Sequence, residues 1–432
     1  MTHKMLRAAP LVAIAAATAL LIAGCASGSA SEASSSAGSQ KPVTLKMVWW
    51  GNDVRAQATL KAVKAFEKKY PNITVQTSTL PFDGYFDKLS TQIAANDAPD
   101  VQQLQGVNMV QYATQGALLD LDKVSTTDLD PSTTKSGKLD GSQIGVPTGL
   151  STFVIVANPA LFKAAGVDMP DDKTWTWDDY DKIAAKITAD SSNGVIGAKS
   201  SGWDITEMAT WAAQRGHQLF TKDGKLGANE ADFASLFTLA KKMMDDKASP
   251  SASESSEQLT LAPEQSGVAT GRYAMQLDGA SNFPALATAS KDPLTVLRLP
   301  SKSGKSGDAK MMYVASQYWG VSARTEHPVE SQQLVEFLAN SSEAGKILGV
   351  TRGTPANSKV REAILPGLAP NDKTVVDFMG SISDEVVDSQ LAPAGAATFT
   401  QTFQRYTSEV LFGRMTPAQA AKAMIAEVNS AL

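Results

Sequence analysis

The sequence predicts an α/β protein built as two lobes, and three observations carry that prediction. Its 432 residues exceed the roughly 150 of a single domain, so two or three are expected. From Pro42, short apolar runs alternate with stretches of helical period in the order β-α-β-α-β, the pattern of a parallel sheet with crossover helices. The alternation then restarts at Phe153. Composition agrees, because 43% hydrophobic and 19% charged residues resemble a globular chain rather than a disordered, collagenous or coiled-coil one.

Thr44 to Trp50 reads as the opening strand, with Leu45, Met47 and Trp49 on one face. Leu60, Val63, Phe66 and Tyr70 recur at helical spacing, and Pro71 ends that helix. Ile73 to Thr77 is the second strand. Phe82, Phe86, Leu89 and Ile93 mark the second helix, and Val101 to Leu104 is the third strand. Downstream, Phe153 to Ala157 is a strand, and Thr176 and Asp179 stand at capping-box spacing before a helix near Trp177. Trp175 and Trp177 flank that start and are assigned to packing. Asn229 caps a long helix carrying Phe233, Leu236, Phe237, Ala240 and Met244. Lys247 to Gln258 is Ser-rich and reads as a surface loop. Asp223-Gly224 signals a hairpin turn. Tyr273 to Leu277, Thr295 to Leu299 and much of Met311 to Val321 read as strands. The last hundred residues read as mostly helical, with a capping box at Thr416-Pro417-Ala418-Gln419.

The N-terminus reads as an export address. Lys4 and Arg7 precede an apolar run from Ala8 to Ile22. As a helix that run rises about 22 Å, too short for a hydrocarbon layer of about 30 Å. It fits a signal peptide over residues 1–24. Leu21-Ile22-Ala23-Gly24-Cys25 resembles the bacterial lipobox, whose cysteine is diacylated. Cys25 is the only cysteine, so the remaining chain holds no disulfide and no cysteine nucleophile. Two acyl chains, at about 0.8 kcal/mol per buried methylene, make a stable anchor. Ala26 to Lys41 holds seven Ser in sixteen positions, a composition suited to a disordered tether.

Several chemistries are disfavoured. The formal charge is −5, more negative once the leader with Lys4 and Arg7 is removed. An acidic chain without a basic run is a poor partner for nucleic acid. Only His217 and His327 lie beyond the leader, far apart, so a soft-ligand metal site is not expected. Gly304-Lys305-Ser306 imitates the end of a phosphate loop, but the earlier glycine position is Leu299. No nucleophile elbow or dinucleotide fingerprint occurs. A catalytic carboxylate pair requires no local spacing, so motifs do not exclude a glycosidase.

What remains is the placement of aromatic and planar polar residues. Trp49-Trp50-Gly51-Asn52-Asp53-Val54-Arg55, Phe82-Asp83-Gly84-Tyr85 and Gln105-Gly106-Val107-Asn108 follow three successive strands, and so share one rim of one sheet. Ligands of open α/β sheets bind at that rim. Rings offer flat apolar faces, and Asp, Asn, Gln and Arg offer multidentate hydrogen bonds, the mixture a sugar ring needs. Trp203, Asp278 to Phe283, Tyr318-Trp319 and Arg352-Gly353-Thr354-Pro355 are the later candidates.

Beyond Lys41 the chain resembles the extracellular (family 1) sugar-binding lipoproteins of ABC importers, the group that includes maltose-binding protein. The resemblance rests on a collinear series: the strand into Trp49-Trp50-Gly51, Phe66-Glu67-Lys68-Lys69-Tyr70-Pro71, and Ala98-Pro99-Asp100-Val101. Gly116-Ala117-Leu118-Leu119-Asp120-Leu121, Gly145-Val146-Pro147 and Asn158-Pro159-Ala160-Leu161-Phe162 continue it. Thr174-Trp175-Thr176-Trp177-Asp178 and Gly271-Arg272-Tyr273-Ala274-Met275 with Gly279 complete it.

The resemblance implies a type II periplasmic-binding-protein-like fold: two lobes, each a mixed, mainly parallel sheet flanked by helices, with the ligand cleft between them. Three crossings join an N-lobe of residues 42–148 plus 313–350 to a C-lobe of 149–312 plus 351–432. It also implies ligand contacts at Trp50, Asn52, Arg55, Asp83, Gln105 and Asn108, then at Ser151 and Trp319 beside the crossings. From the C-lobe come Trp203, Asp278 and Asn282, with Arg352 at the last crossing. Relatives place a tryptophan soon after the glycine matching Gly279. Here Phe283 is the only nearby aromatic, so Trp203 is the alternative stacking surface. The implied partners are a carbohydrate, the importer's permease subunits and, through Cys25, the outer face of the cytoplasmic membrane. The chain is expected to act as a monomer, without cofactor or nucleic acid. A binder of polyol phosphate, peptide or polyamine, and a secreted glycoside hydrolase, are the alternatives.

Overall fold

Val43, Leu45, Met47 and Trp49 point one way from the opening strand into one apolar core, and Val48 and Trp50 point the other way into a second. A strand buried on both faces belongs inside a sheet covered by helices. In a computed structural model, which describes residues 41–82, 84–191, 193–389 and 392–432, that strand is Val43–Trp50. Cys25, the apolar leader, most of the Ser-rich segment and Asp83 lie outside the described residues. Pro42–Leu432 forms one compact unit.

The first sheet has five strands in the order Ile73–Leu80, Val43–Trp50, Val101–Leu104, Tyr318–Val321, Val146–Pro147. Its first three strands are parallel, with Val43 opposite Ile73 and Met47 opposite Val101. The last two join antiparallel, so a strand from far downstream enters the first sheet. Helix Asp53–Lys69 makes the first crossover. Asn52 caps it, Lys68 and Lys69 complement its carboxyl end, and Tyr70 terminates it before Pro71.

The second sheet runs Thr295–Leu297, Phe153–Ala157, Tyr273–Gly279, Ile196–Ala198. Its core continues into helices Trp177–Asp190, Glu230–Asp245 and Phe399–Leu411. The capping boxes expected at Thr176 and Thr416 form, and Asn229, expected as a cap, makes a capping box with Asp232. A third, short antiparallel sheet places Gly149–Ser151 between Val314–Ala315 and Thr354–Pro355. Those three segments lie beside the three expected crossings. Gly353 is left-handed there (φ +88°), and an added Cβ would press on the Leu150 carbonyl at 2.5 Å. No described helix is long and apolar enough to cross a membrane.

Three local expectations are corrected. The Ser-rich stretch after Lys247 contains a helix, Ala252–Glu257, because Ser251 accepts a hydrogen bond from the Glu254 amide and Ala252 and Ser255 are buried. Met311 to Val321 divides into Val314–Ala315 and Tyr318–Val321, which serve different sheets. Asp223-Gly224 closes only an isolated bridge between Phe220 and Leu226.

Candidate functional site

A cleft of about 1340 Å³ opens beyond the carboxyl ends of the first-sheet strands. One wall comes from Phe82 and helix Tyr85–Ala94, and from the first turns of helix Gly106–Thr114. Gln105 is the N-cap of the latter helix, yet its side chain makes no capping bond. That leaves its carboxamide on the cleft wall beside Asn108 and Gln111, one helical turn apart each.

The opposite wall comes from the end of strand Tyr273–Gly279 and the loop before helix Ile205–Ala213. The Asp278 carboxylate is held on both oxygens. Oδ1 accepts from Asn282 Nδ2 at 2.8 Å and from the Gly279 amide at 2.7 Å, and Oδ2 accepts from Gln276 Nε2 at 2.7 Å. Ser151 Oγ accepts from the Ser281 amide at 3.2 Å, tying the short third sheet to this wall. Trp203 lines the cleft at 6% exposure, its Nε1 buried and without a partner among the described residues.

The Trp203 loop is held by a buried carboxyl group. Glu207 accepts from the Gly202 amide at 2.9 Å and from the Trp203 amide at 3.0 Å. Burial pushes Glu207 up to about 7, opposed by those two amide bonds. Burial also raises Asp204, and the nearby Asp278 charge adds to the rise. Gln404 Nε2 donates to the Trp203 carbonyl at 3.0 Å.

The structure therefore brings Gln105, Asn108, Ser151, Trp203, Asp278 and Asn282 to one cleft. It does not bring Trp50, Trp319, Arg55, Asn52 or Arg352 to that lining. Trp50 is 6% exposed and packs edge-on against Tyr85 at 5.0 Å and Phe82 at 5.8 Å, under helix Tyr85–Ala94. Phe82, 49% exposed, and Phe86 are the rings packed on it that line the cleft. Trp319 is 1% exposed because its strand lies inside the first sheet. Asn52 uses Oδ1 to cap a helix, and Arg55 Nε donates to the Thr351 carbonyl at 2.9 Å. Phe283 is fully buried in the core.

Gln111, Asp204 and Glu207 line the cleft without having been singled out. The three-residue recurrence of Gln105, Asn108 and Gln111 was a readable signal for the first of them. Among the described residues no group of three or more His, Cys, Asp or Glu could hold a metal ion.

Residues 51–344 match the family described as bacterial extracellular solute-binding protein. The chain belongs to that family. Among this solute-binding protein's relatives is the arabinooligosaccharide-binding protein of Bacillus subtilis, 25% identical over 76% of this chain and 75% of that one. The multiple sugar-binding protein of Streptococcus mutans is 23% identical over 82% and 83%. An ABC substrate-binding protein of Listeria monocytogenes, solved in complex with cycloalternan, is 26% identical with a TM-score of 0.78, covering 90% of this chain and 99% of that one. The solute-binding protein thus has the two-lobed fold of periplasmic binding proteins, with α/β lobes flanking a cleft.

Proposed function

We propose that this chain captures an oligosaccharide in its cleft by lobe closure and delivers it to the permease of an ABC importer. Anchored by lipid at Cys25, it would work on the outer face of the cytoplasmic membrane. The observation that carries the reading is the pairing of two walls with complementary chemistry. Gln105 and Asn108 offer carboxamides from one side, and Trp203, Asp278 and Asn282 offer an indole and a hydrogen-bonded carboxylate and carboxamide from the other. Hydroxyl groups that donate and accept can be met on both walls, while an indole face suits the C–H patches of a pyranose. The residues are proposed as ligand contacts on that basis, and Phe82 joins them.

The third sheet serves as the hinge between an N-lobe of residues 42–148 plus 313–350 and a C-lobe of 149–312 plus 351–432. Ligand bridging both walls favours the closed arrangement because only closure satisfies both halves of the site. One relative is named for binding arabinooligosaccharides and another for binding multiple sugars, and a cleft of about 1340 Å³ has room for more than one sugar ring. The chain binds and releases its sugar unchanged.

The test is a thermal-shift screen over plant, milk and starch oligosaccharides, followed by tryptophan-fluorescence titration of those that stabilise. A ligand at a hundred times its dissociation constant stabilises by about 2.7 kcal/mol. Saturable binding with the sugar recovered intact supports the reading. Release of shorter sugars in proportion to protein, or stabilisation by no glycan but by a phosphate, peptide or polyamine, overturns it.

A further inference from the structure

Beside the first and last of the expected crossings lies a separate pocket of about 20 Å³, whose lining includes Thr148, Trp319, Arg352 and Gly353 together with apolar Leu338 and Val360. Arg352 is 4% exposed. Its Nε donates to Gln103 Oε1 at 3.1 Å, and its guanidinium lies 4.9 Å from the Trp319 ring centroid. Both terminal nitrogens are buried and have no hydrogen-bond partner among the described residues. Gln103 Nε2, another donor, is equally unpaired.

The surroundings add positive charge. Arg55 repels Arg352 across the interior, and its own bonds go to the Thr351 and Trp50 carbonyls. No described carboxylate forms an ion pair with either arginine. A guanidinium keeps its proton in proteins. A buried charge is costly unless paired and hydrogen-bonded. The Trp319 face attracts the cation but offers no acceptor to N–H groups in the guanidinium plane. The pocket has room for one water-sized or halide-sized guest, and none for a phosphate, a sulfate or a sugar.

We propose that this pocket is a binding site for one monovalent anion of halide size, held by the terminal nitrogens of Arg352. The site is a structural counter-ion site of the hinge region, separate from the cleft, and it rests on the fold and not on the carbohydrate reading. It also gives Arg352 a task other than the direct ligand contact that its sequence position implies.

The probe is chloride, with bromide as its crystallographic marker. The full chain, prepared without halide, is unfolded thermally in sodium chloride and in sodium gluconate of equal ionic strength. Chloride should raise the midpoint saturably by about 2 °C relative to gluconate. Crystals grown in sodium bromide should show an anomalous peak beside the Arg352 terminal nitrogens. Arg352→Met should lose the chloride dependence. Gln103→Glu provides a second variant, since it supplies the counter-charge from within the chain: it should fold, melt at least as high as the parent in gluconate, and no longer respond to chloride. Equal midpoints of the parent chain in the two salts, bromide peaks confined to the surface, or an ordered water at Arg352 in bromide crystals would each overturn the assignment.

Discussion

Trp203 and Trp50 are equally buried, yet they answer to different tests. Trp203 belongs to a small satellite cluster with Ala240, Ala252 and Leu411, and it lines the cleft. Truncating it removes the indole from the proposed ligand surface while disturbing few core neighbours. Trp203→Ala should therefore weaken the best oligosaccharide about 10- to 100-fold by fluorescence-independent calorimetry. Unchanged affinity would remove the indole from the site. Trp50 sits among Tyr85, Phe82 and Phe86, with centroid separations of 5.0, 5.8 and 5.4 Å. Trp50→Ala opens a cavity beneath Phe82 and should cost about 3–5 kcal/mol of stability in denaturant titration. A stability loss below about 1 kcal/mol would show that the ring is not a packing element.

At the scale of the element, the loop–helix unit from Gly202 to Ala213 couples the cleft to pH. Glu207 has its proton affinity raised by burial, to a pKa of about 7 from the ordinary 4.5. Between those two pH values the folded chain holds a proton that the unfolded chain has released, so stability falls as pH rises through the window. The expected size is about 3 kcal/mol in all. Asp204, also raised, acts with the same sign. Glu207→Gln should flatten the decline between pH 4.5 and 7 in urea titrations at successive pH values. An unaltered slope in the variant would assign the decline to other groups.

Elements along the whole chain show which features a sequence can disclose. Capping boxes at Thr176, Asn229 and Thr416 are local grammar, and each formed because the two partners lie three residues apart. The β-α-β-α-β order was legible for a similar reason, since period and breakers are short-range signals. The facing of Trp50 was not, because alternation tells nothing about which face is covered when both are buried. The Ser-rich helix Ala252–Glu257 was hidden because composition masked its cap at Ser251. Cleft residues on the helix starting at Gly106 were half legible: Gln105 and Asn108 stood out at a strand end, whereas Gln111 needed the helix to bring it round. Arg352 carried a family expectation, but only the tertiary structure shows it turned away from the cleft lining toward Trp319 and Gln103.

For the molecule as a whole, the question is what holds the two proposed lobes together over the cleft. Among the described residues, the polar ties that cross the proposed division include two exposed pairs far in sequence from the crossing segments. Asn52 Nδ2 donates to Glu264 Oε1 at 3.4 Å, and Lys135 Nζ stands 3.4 Å from Asp388 Oδ2 with both side chains largely exposed. Exposed pairs of this kind contribute about 0–1 kcal/mol each and weaken with salt. These two pairs are too weak to fix a closed state by themselves, and the proposed closure draws on contacts the ligand makes with both walls. The double variant Glu264→Gln, Asp388→Asn should then retain the parent's oligosaccharide affinity within about threefold to tenfold. Small-angle scattering of both proteins should show the same compaction on adding sugar. A variant that no longer compacts, or that binds more than about thirtyfold more weakly, would mean that the rim ties and not the bound sugar carry the energy of closure.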